Sequence, residues 1–216
     1  MSTGWVVEHV HGDAGAFHAA EPEARRSATF LTVDTRTLVL GSAQRDSDVD
    51  RRVADSLSVE VVRRRSGGGA VLLLPGEFVW LDLVLPAGDP LWSPDVAQAM
   101  VWVGELWRAA LRSLGVAGEV HHGPMLTTAW SRQVCFAGVG TGELLQGAGK
   151  LVGVSQRRTR EYARFQSMCH LRWRPELVAA LVAPPRPDAA DLAPVVMCVG
   201  AGDAVTVGDA LTTRLP

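Results

Sequence analysis

The order of hydrophobic and polar positions predicts short strands in the first half of the chain. Apolar and β-branched residues form short runs in TLVL (37–40), SVEVV (58–62), AVLLL (70–74) and FVWLDLVLP (78–86). Such runs, bounded by Gly, Pro or polar residues, are typical of β-strands. We read the triple glycine between the second and third runs as a tight connection between two strands, because glycine readily adopts positive φ.

One long helix follows these strands. Apolar residues recur at helical spacing from position 96 to 114, after a capping residue and a proline in Ser93-Pro94-Asp95. Gly115 marks the predicted end of this helix. Beyond it, QVCFAGV, GELLQ, LVGVSQ and residues 162–171 predict short strands, and PELVAALV predicts a short helix. Hairpins with few helices favour an α+β domain, a mixed β-sheet with packed helices, over a doubly wound parallel sheet.

Composition limits the classes of partner. The chain has 216 residues, 47% of them hydrophobic and 20% charged, which suits one large domain or two small ones. A net charge of -2 gives no reason to expect nucleic acid or an anionic membrane as partner. No leader pattern and no apolar stretch of ~18 residues is evident, so we expect a cytoplasmic protein. The Pro-rich stretch 183–194 divides a predicted catalytic domain, 1–184, from a short C-terminal segment, 185–216.

The cysteines indicate neither a disulfide framework nor a metal. Cys135, Cys169 and Cys198 are an odd number at wide spacings, so we expect reduced thiols. Adjacent His121 and His122 lack further ligands at suitable spacing. We therefore predict no structural metal.

Two segments could bind an anion. Arg63-Arg64-Arg65 leads into Ser66-Gly67-Gly68-Gly69-Ala70, and guanidinium groups with exposed backbone N–H groups form concave anion sites. Lys150 is the only lysine among 21 basic residues. Lysine is a compact point charge, whereas arginine presents a broad planar fork. A lysine retained in an arginine-rich chain suggests a position where the two are not interchangeable.

Three motifs in order carry a family resemblance. LVLGSAQ (38–44), RRRSGGGAV (63–71) and GKLVGVSQRR (149–158) resemble the catalytic domain of lipoate-protein ligases, which form one superfamily with octanoyltransferases and biotin-protein ligases. The resemblance runs from about Thr37 to about Leu171 and implies a biotin/lipoate-ligase-like fold. It also implies that lipoate or octanoate reacts with ATP to give an acyl-adenylate. The acyl group would then pass to a lysine of a lipoyl acceptor domain, in a 2-oxoacid dehydrogenase or the glycine cleavage H protein.

The resemblance also implies which residues form the site. Lys150 would be the catalytic cation between the carboxylate and the α-phosphate, where fixed charge is commonly the largest catalytic contribution. Mg²⁺ would arrive with ATP. The implied substrate and adenylate contacts are Arg64, Ser66, Gly67, Gly68, Gly69, Ala70, Val71, Leu72, Gly153 and Ser155.

Several positions depart from the family pattern. Residues 164–168 read Arg-Phe-Gln-Ser-Met instead of a His-His-Gly-Thr type segment, and Gly142-Glu143 stands for the usual Asn-Asp. FHAAEPEARRSATF is only a loose counterpart of the family's paired-acid helix. Residues 185–216 are too few for the accessory domain that assists adenylation in many ligases. A separate accessory subunit could supply it.

Cys135 carries the main alternative. It lies fifteen residues before Lys150, and some octanoyltransferases of the superfamily use a cysteine in a similar Cys-Phe context as acyl-thioester nucleophile, without ATP. A buried strand cysteine with no chemical role is the simpler interpretation. A third possibility is a non-catalytic homologue that binds lipoate or an acceptor domain. The ligase is the first interpretation of the sequence.

Overall fold

The computed structural model describes residues 4–200 and 202–216, which form two β-sheets with helices packed on them. The strands are β1 Val6–Gly12, β2 Ser27–Val33, β3 Thr37–Leu40, β4 Glu60–Arg63, β5 Val71–Leu73, β6 Phe78–Pro86, β7 Glu119–Val120, β8 Leu144–Gln146, β9 Gly149–Arg158 and β10 Tyr162–His170. The helices are α1 Ala14–Ala19, α2 Arg51–Ser56, α3 Val96–Ser113, α4 Pro175–Leu181, α5 Ala189–Leu192 and α6 Ala204–Thr212. Short 3-10 turns cover Asp46–Asp48, Cys135–Ala137 and Ala193–Val195.

Both sheets are mixed. The large sheet has the strand order β1-β2-β6-β10-β9-β8-β7, in which only β1 and β2 pair in parallel. The small sheet has the order β4-β3-β5, with a parallel and an antiparallel pair. The predicted α+β architecture with packed helices is confirmed.

The triple glycine does not form a hairpin turn. Strands β4 and β5 lie on opposite sides of β3 and do not pair with each other. The chain from Arg64 to Ala70 therefore has to cross the end of the small sheet. This crossing brings the glycine-rich loop towards the large sheet. A hairpin turn would instead have kept the loop beside the two strands that it joins.

Local signals account for the central strand and the long helix. The Asp95 side chain accepts hydrogen bonds from the backbone N–H groups of Ala97 and Gln98, which caps α3. Gly115, at φ +80°, follows the helix end, where a left-handed residue favours glycine. Strand β6 is buried along almost its whole length, because helices cover one face of the large sheet and the small sheet covers the other.

Hydrophobic side chains form three clusters. The main core lies between the large sheet and helices α3 and α6, and a second lies between the small sheet and helices α2 and α4. The third lies between the two sheets, with Val39 and Leu73 from the small one and Trp80 and Met168 from the large one. This third cluster contains the cavity described below.

The C-terminal segment packs on the main core. Leu211 of α6 is fully buried there, and the Trp5 indole donates to the Pro216 carbonyl at 2.7 Å. The predicted linker 183–194 contains α5. In the described part of the chain, no helix combines the length and the apolar character needed to cross a bilayer.

Removing a buried side chain of α6 should therefore destabilise the whole chain. We expect Leu211→Ala to lower the free energy of unfolding by about 2–5 kcal/mol, because it leaves a cavity in the main core. Val205→Ala, on the same helix but 68% exposed, should change it by less than ~0.5 kcal/mol. Urea denaturation measures both. An unchanged main transition in Leu211→Ala would mean that residues 185–216 fold separately.

Candidate active site

A cavity opens between the two sheets and is mainly apolar. It encloses about 460 Å³, part of it open to solvent. Polar atoms enter it at few points, a composition that is typical of sites for small apolar ligands. The lining residues are His18, Arg64, Val71, Leu73, Trp80, Cys135, Phe136, Gly153, Val154, Ser155, Gln166, Ser167 and Met168.

Arg64 holds the glycine-rich loop through hydrogen bonds to the loop's own carbonyl groups. Its guanidinium donates to the carbonyl of Gly67 at 2.7 Å and to that of Gly69 at 2.8 Å, and the residue is 5% exposed. Its neighbours Arg63 and Arg65 form ion pairs with carboxylates. Every hydrogen bond of Arg64 to the described residues goes to a backbone carbonyl. A buried cation with no carboxylate partner favours an anion in the cavity beside it.

The loop and the turn that holds Cys135 meet backbone to backbone. Ala70 N–H donates to the Gln133 carbonyl at 2.7 Å, and Cys135 N–H donates to the Ala70 carbonyl at 3.0 Å. A Cβ on Gly69 would come within 2.6 Å of the Val134 backbone. Glycine is therefore required at position 69 for close approach.

Cys135 lies on the cavity wall next to Arg64. The prediction of a strand at QVCFAGV is wrong, because Cys135–Ala137 is a 3-10 turn in which the thiol is half-buried. Arg64 Nη2 and Cys135 Sγ lie 2.9 Å and 3.7 Å from the same point, the position a Cβ on Gly68 would take. The thiol and the Arg64 guanidinium therefore both border the loop at Gly68.

Lys150 does not face the cavity. The resemblance implied a cation that contacts the substrate, but Lys150 is 1% exposed and is not among the residues that line the cavity. Its Nζ lies 2.7 Å from Glu143 Oε2, donates to the Cys135 carbonyl at 3.0 Å and lies 5.0 Å from the centre of the Phe136 ring. The ammonium group thus holds the turn of Cys135 through the backbone carbonyl of that residue.

These contacts explain why the position suits lysine. Glu143 also accepts from the backbone N–H of Gly140 at 2.6 Å and of Val154 at 3.2 Å, so the carboxylate is fixed. The broader guanidinium of arginine would need space that a close-packed interior does not leave. Glu143, which replaces the family's usual acid, is the partner of the lone lysine.

The remaining predicted contacts are divided between the cavity and its surroundings. Val71, Gly153 and Ser155 line the cavity, and Ser66 Oγ lies 3.3 Å from Ser155 Oγ at its edge. Leu72 points away and packs in the second core. The loop that crosses the end of the small sheet contains the remaining four residues, Gly67, Gly68, Gly69 and Ala70.

Sequence reasoning missed one wall of the cavity. His18 of α1 lies on it, as do Trp80 of β6 and Gln166 of β10. Burial, then the charges of Arg64 and Arg164, lower the pKa of His18 to about 3, and a side-chain hydrogen bond with Gln166 opposes this by raising it. The imidazole is therefore neutral near pH 7. The only sequence signal was that residues 17–30 and 164–168 depart from the family pattern.

A family comparison agrees with this geometry. The model of the lipoyl protein ligase A/B catalytic domain matches residues 14–191, which is most of the chain. The chain belongs to this family. The predicted resemblance to lipoate-protein ligases is confirmed.

Individual relatives differ in the activity given to them. A curated relative, octanoyltransferase LipM of Carboxydothermus hydrogenoformans, is 32% identical over 135 residues, which cover 62% of this chain and 48% of the relative. The match thus spans about half the length of that relative.

Solved structures share the lipoate ligase fold. Lipoate-protein ligase A bound with ATP superposes with a TM-score of 0.73 at 15% identity, covering 96% of this chain and 82% of that one. A bi-partite lipoate protein ligase from Thermoplasma acidophilum, described with its E2 lipoyl domain, gives 0.73 at 14% identity, covering 96% and 80%. The predicted biotin/lipoate-ligase-like fold is confirmed.

The burial of Lys150 revises what its removal should do. We expect Lys150→Met to lower the free energy of unfolding by about 3–5 kcal/mol, because it leaves the buried Glu143 carboxylate uncompensated. Adding Glu143→Gln should recover at least ~1 kcal/mol of that loss. Urea denaturation of the two single variants and the double variant measures this. The exposed Arg160→Met is the control, and equal effects of Lys150→Met and Arg160→Met would contradict the buried pair.

Proposed function

We propose that the chain transfers an octanoyl or lipoyl group to a lysine of a lipoyl acceptor domain through a thioester on Cys135. The observation that carries this proposal is the position of Cys135 on the wall of an apolar cavity, with the unpaired cation of Arg64 beside it. Cysteine acts as an acyl-thioester nucleophile when its sulfur can reach the carbonyl carbon of the acyl donor. The apolar lining suits an acyl chain.

The reaction has two steps. The Cys135 thiolate attacks the carbonyl of an acyl thioester, a new C–S bond forms, and the donor's C–S bond breaks to release its thiol. A lysine amine of the acceptor then attacks the acyl-cysteine, the C–N bond forms, and the C–S bond to Cys135 breaks. No step needs ATP, because the thioester is already activated.

In this proposal Lys150 acts by positioning the turn that carries the Cys135 thiol. Its ammonium is neutralised by Glu143 and holds the Cys135 carbonyl at 3.0 Å, so it fixes the turn that presents the thiol. The ligase mechanism instead needs this cation between two substrate anions. That would require Lys150 to leave a fully buried ion pair, which is costly.

A second candidate is the ATP-dependent ligase, which the sequence placed first. Arg64 and the glycine-rich loop would suit an adenylate phosphate, since a buried unpaired cation favours any anion. Mg²⁺ would come with ATP, because the charge on the polyphosphate must be neutralised during adenylyl transfer. In this case a separate accessory subunit could assist adenylation.

The acceptor is proposed on the same grounds. The Thermoplasma acidophilum structure is described as a ligase with its E2 lipoyl domain, which supports a lipoyl domain as partner here. Lipoyl domains of 2-oxoacid dehydrogenases and the glycine cleavage H protein both present a lysine. Either would serve as acceptor in the assays below.

Octanoyl-carrier protein should acylate Cys135 without ATP. Mass spectrometry of the purified chain should find one octanoyl group on Cys135, and Cys135→Ser should lose transfer to the acceptor domain by at least ~100-fold, because serine is a far weaker nucleophile at neutral pH. Cys198→Ser, a half-buried thiol outside the cavity, is the matched control and should keep activity.

The alternative gives the opposite result. If Cys135→Ser keeps full activity, and transfer occurs only with ATP, magnesium and lipoate, the thioester proposal is wrong and the chain is a ligase. Transfer from synthetic lipoyl-AMP but not from ATP would indicate a ligase that needs an accessory subunit. Failure with every donor leaves a homologue that binds without catalysis.

A further inference from the structure

The strand registers arrange the side chains on the large-sheet side of the cavity in two rows. Strands β6, β10 and β9 are antiparallel neighbours, and residues opposite one another in such strands point to the same face. One row joins Gln166 to Ser155, and the next row, two residues along the strands, joins Trp80, Met168 and Gly153. All five residues line the cavity. This wall is therefore polar in one row and apolar in the next.

The polar row lies at the glycine-rich loop. Ser66 Oγ of the loop lies 3.3 Å from Ser155 Oγ, and the turn of Cys135 is hydrogen-bonded to the same loop. Strand β5 begins where the loop ends, so Val71 borders the cavity near the loop and Leu73 borders it two residues further away. The cavity thus has a polar end beside the loop and the Cys135 turn, and an apolar end away from them.

The apolar end of the cavity is closed by packed side chains. Leu73, Trp80, Phe136 and Met168 belong to one buried cluster, and each is at most 9% exposed. Beyond them, the ring of Phe136 lies 4.7 Å from that of His170, which is buried in the next row of β10 and is outside the cavity lining. An acyl chain that enters beside the loop would therefore end against this cluster.

Met168 lies in the middle of the closed end. Its neighbours in the apolar row are Trp80 on one side and Gly153 on the other. The ring of Phe136 takes the space above Gly153, because a Cβ on that glycine would lie 3.3 Å from the ring. Met168 is the most exposed of the four clustered residues, and its side chain is unbranched and flexible. Changing its length therefore changes the depth of the cavity and leaves both rings in place.

We propose that Met168 sets the maximum length of the acyl chain, and that the cavity selects straight acyl groups no longer than the chain that octanoyl and lipoyl groups share. This inference rests on the proposed function, which supplies the acyl group. The carbonyl end lies beside Cys135 and Arg64, and the far end of the chain lies against Met168. Each methylene buried on the way strengthens binding about fourfold. A longer chain has to displace packed side chains, which is unfavourable.

The test compares acyl chains of different length. Calorimetry measures the binding of straight-chain carboxylates from butanoate to dodecanoate, with no acyl donor present. Mass spectrometry then measures the acylation of Cys135 by carrier proteins loaded with the same acyl groups. The variants are Met168→Ala, which shortens the side chain, and Met168→Phe, which enlarges it. Met100→Ala is the matched control, because Met100 is a partly buried methionine of α3 that packs on the main core, outside the cavity.

We expect the affinity of the wild type to rise about fourfold per methylene up to octanoate and to be at least ~10-fold lower for dodecanoate. Met168→Ala should bind dodecanoate at least as tightly as octanoate, and Met168→Phe should prefer hexanoate to octanoate. Met100→Ala should keep the wild-type order, since a general loss of stability weakens all lengths alike. An unchanged order in a folded Met168 variant, or a wild type that binds dodecanoate as tightly as octanoate, would overturn the proposal.

The length limit and the thioester route fail separately. If the carboxylates bind in the expected order but no acyl group forms on Cys135, the thioester route is wrong and the role of Met168 stands. If Cys135 is acylated with the same length preference in the wild type and in both Met168 variants, the thioester route stands and the role of Met168 is wrong. A wild type that neither binds the carboxylates nor is acylated overturns both.

Discussion

The site depends on a backbone contact that only glycine permits. Gly69 lies so close to Val134 that a Cβ would overlap the main chain, and the neighbouring Ala70 and Cys135 share a hydrogen bond. This contact joins the loop that crosses the small sheet to the turn in front of the large sheet. The cavity, the Cys135 thiol and the Arg64 guanidinium are brought together because these two backbones touch.

Two buried cations support this contact from opposite sides, and they differ in how their charge is compensated. Lys150 is paired with Glu143 and holds the turn through the Cys135 carbonyl. Arg64 holds the loop through two carbonyls and has no carboxylate partner. The charge of Lys150 is thus compensated inside the protein, whereas that of Arg64 is met only by backbone dipoles.

The third wall of the cavity comes from the N-terminal helix α1. A short helix has little stability alone, so its place depends on tertiary contacts. Arg164 provides them by joining Asp82 to the last carbonyls of α1, at the segment where the chain departs from the usual family pattern. Gln166, Ser167 and Met168 of this segment thus line the cavity, and Arg164 positions α1 beside it.

Local sequence determined the elements, and the motif order determined the family. The apolar run FVWLDLVLP and the cap at Asp95 act over a few residues, and strand β6 and helix α3 follow them. The burial of Lys150 depends instead on the turn at Cys135 and on Glu143, and the wall formed by His18 depends on contacts between residues far apart in the chain, such as Arg164 with Phe17. Side-chain burial is a property of packed layers, and the choice between a cation facing a substrate and one facing Glu143 was decided only when the sheets packed together.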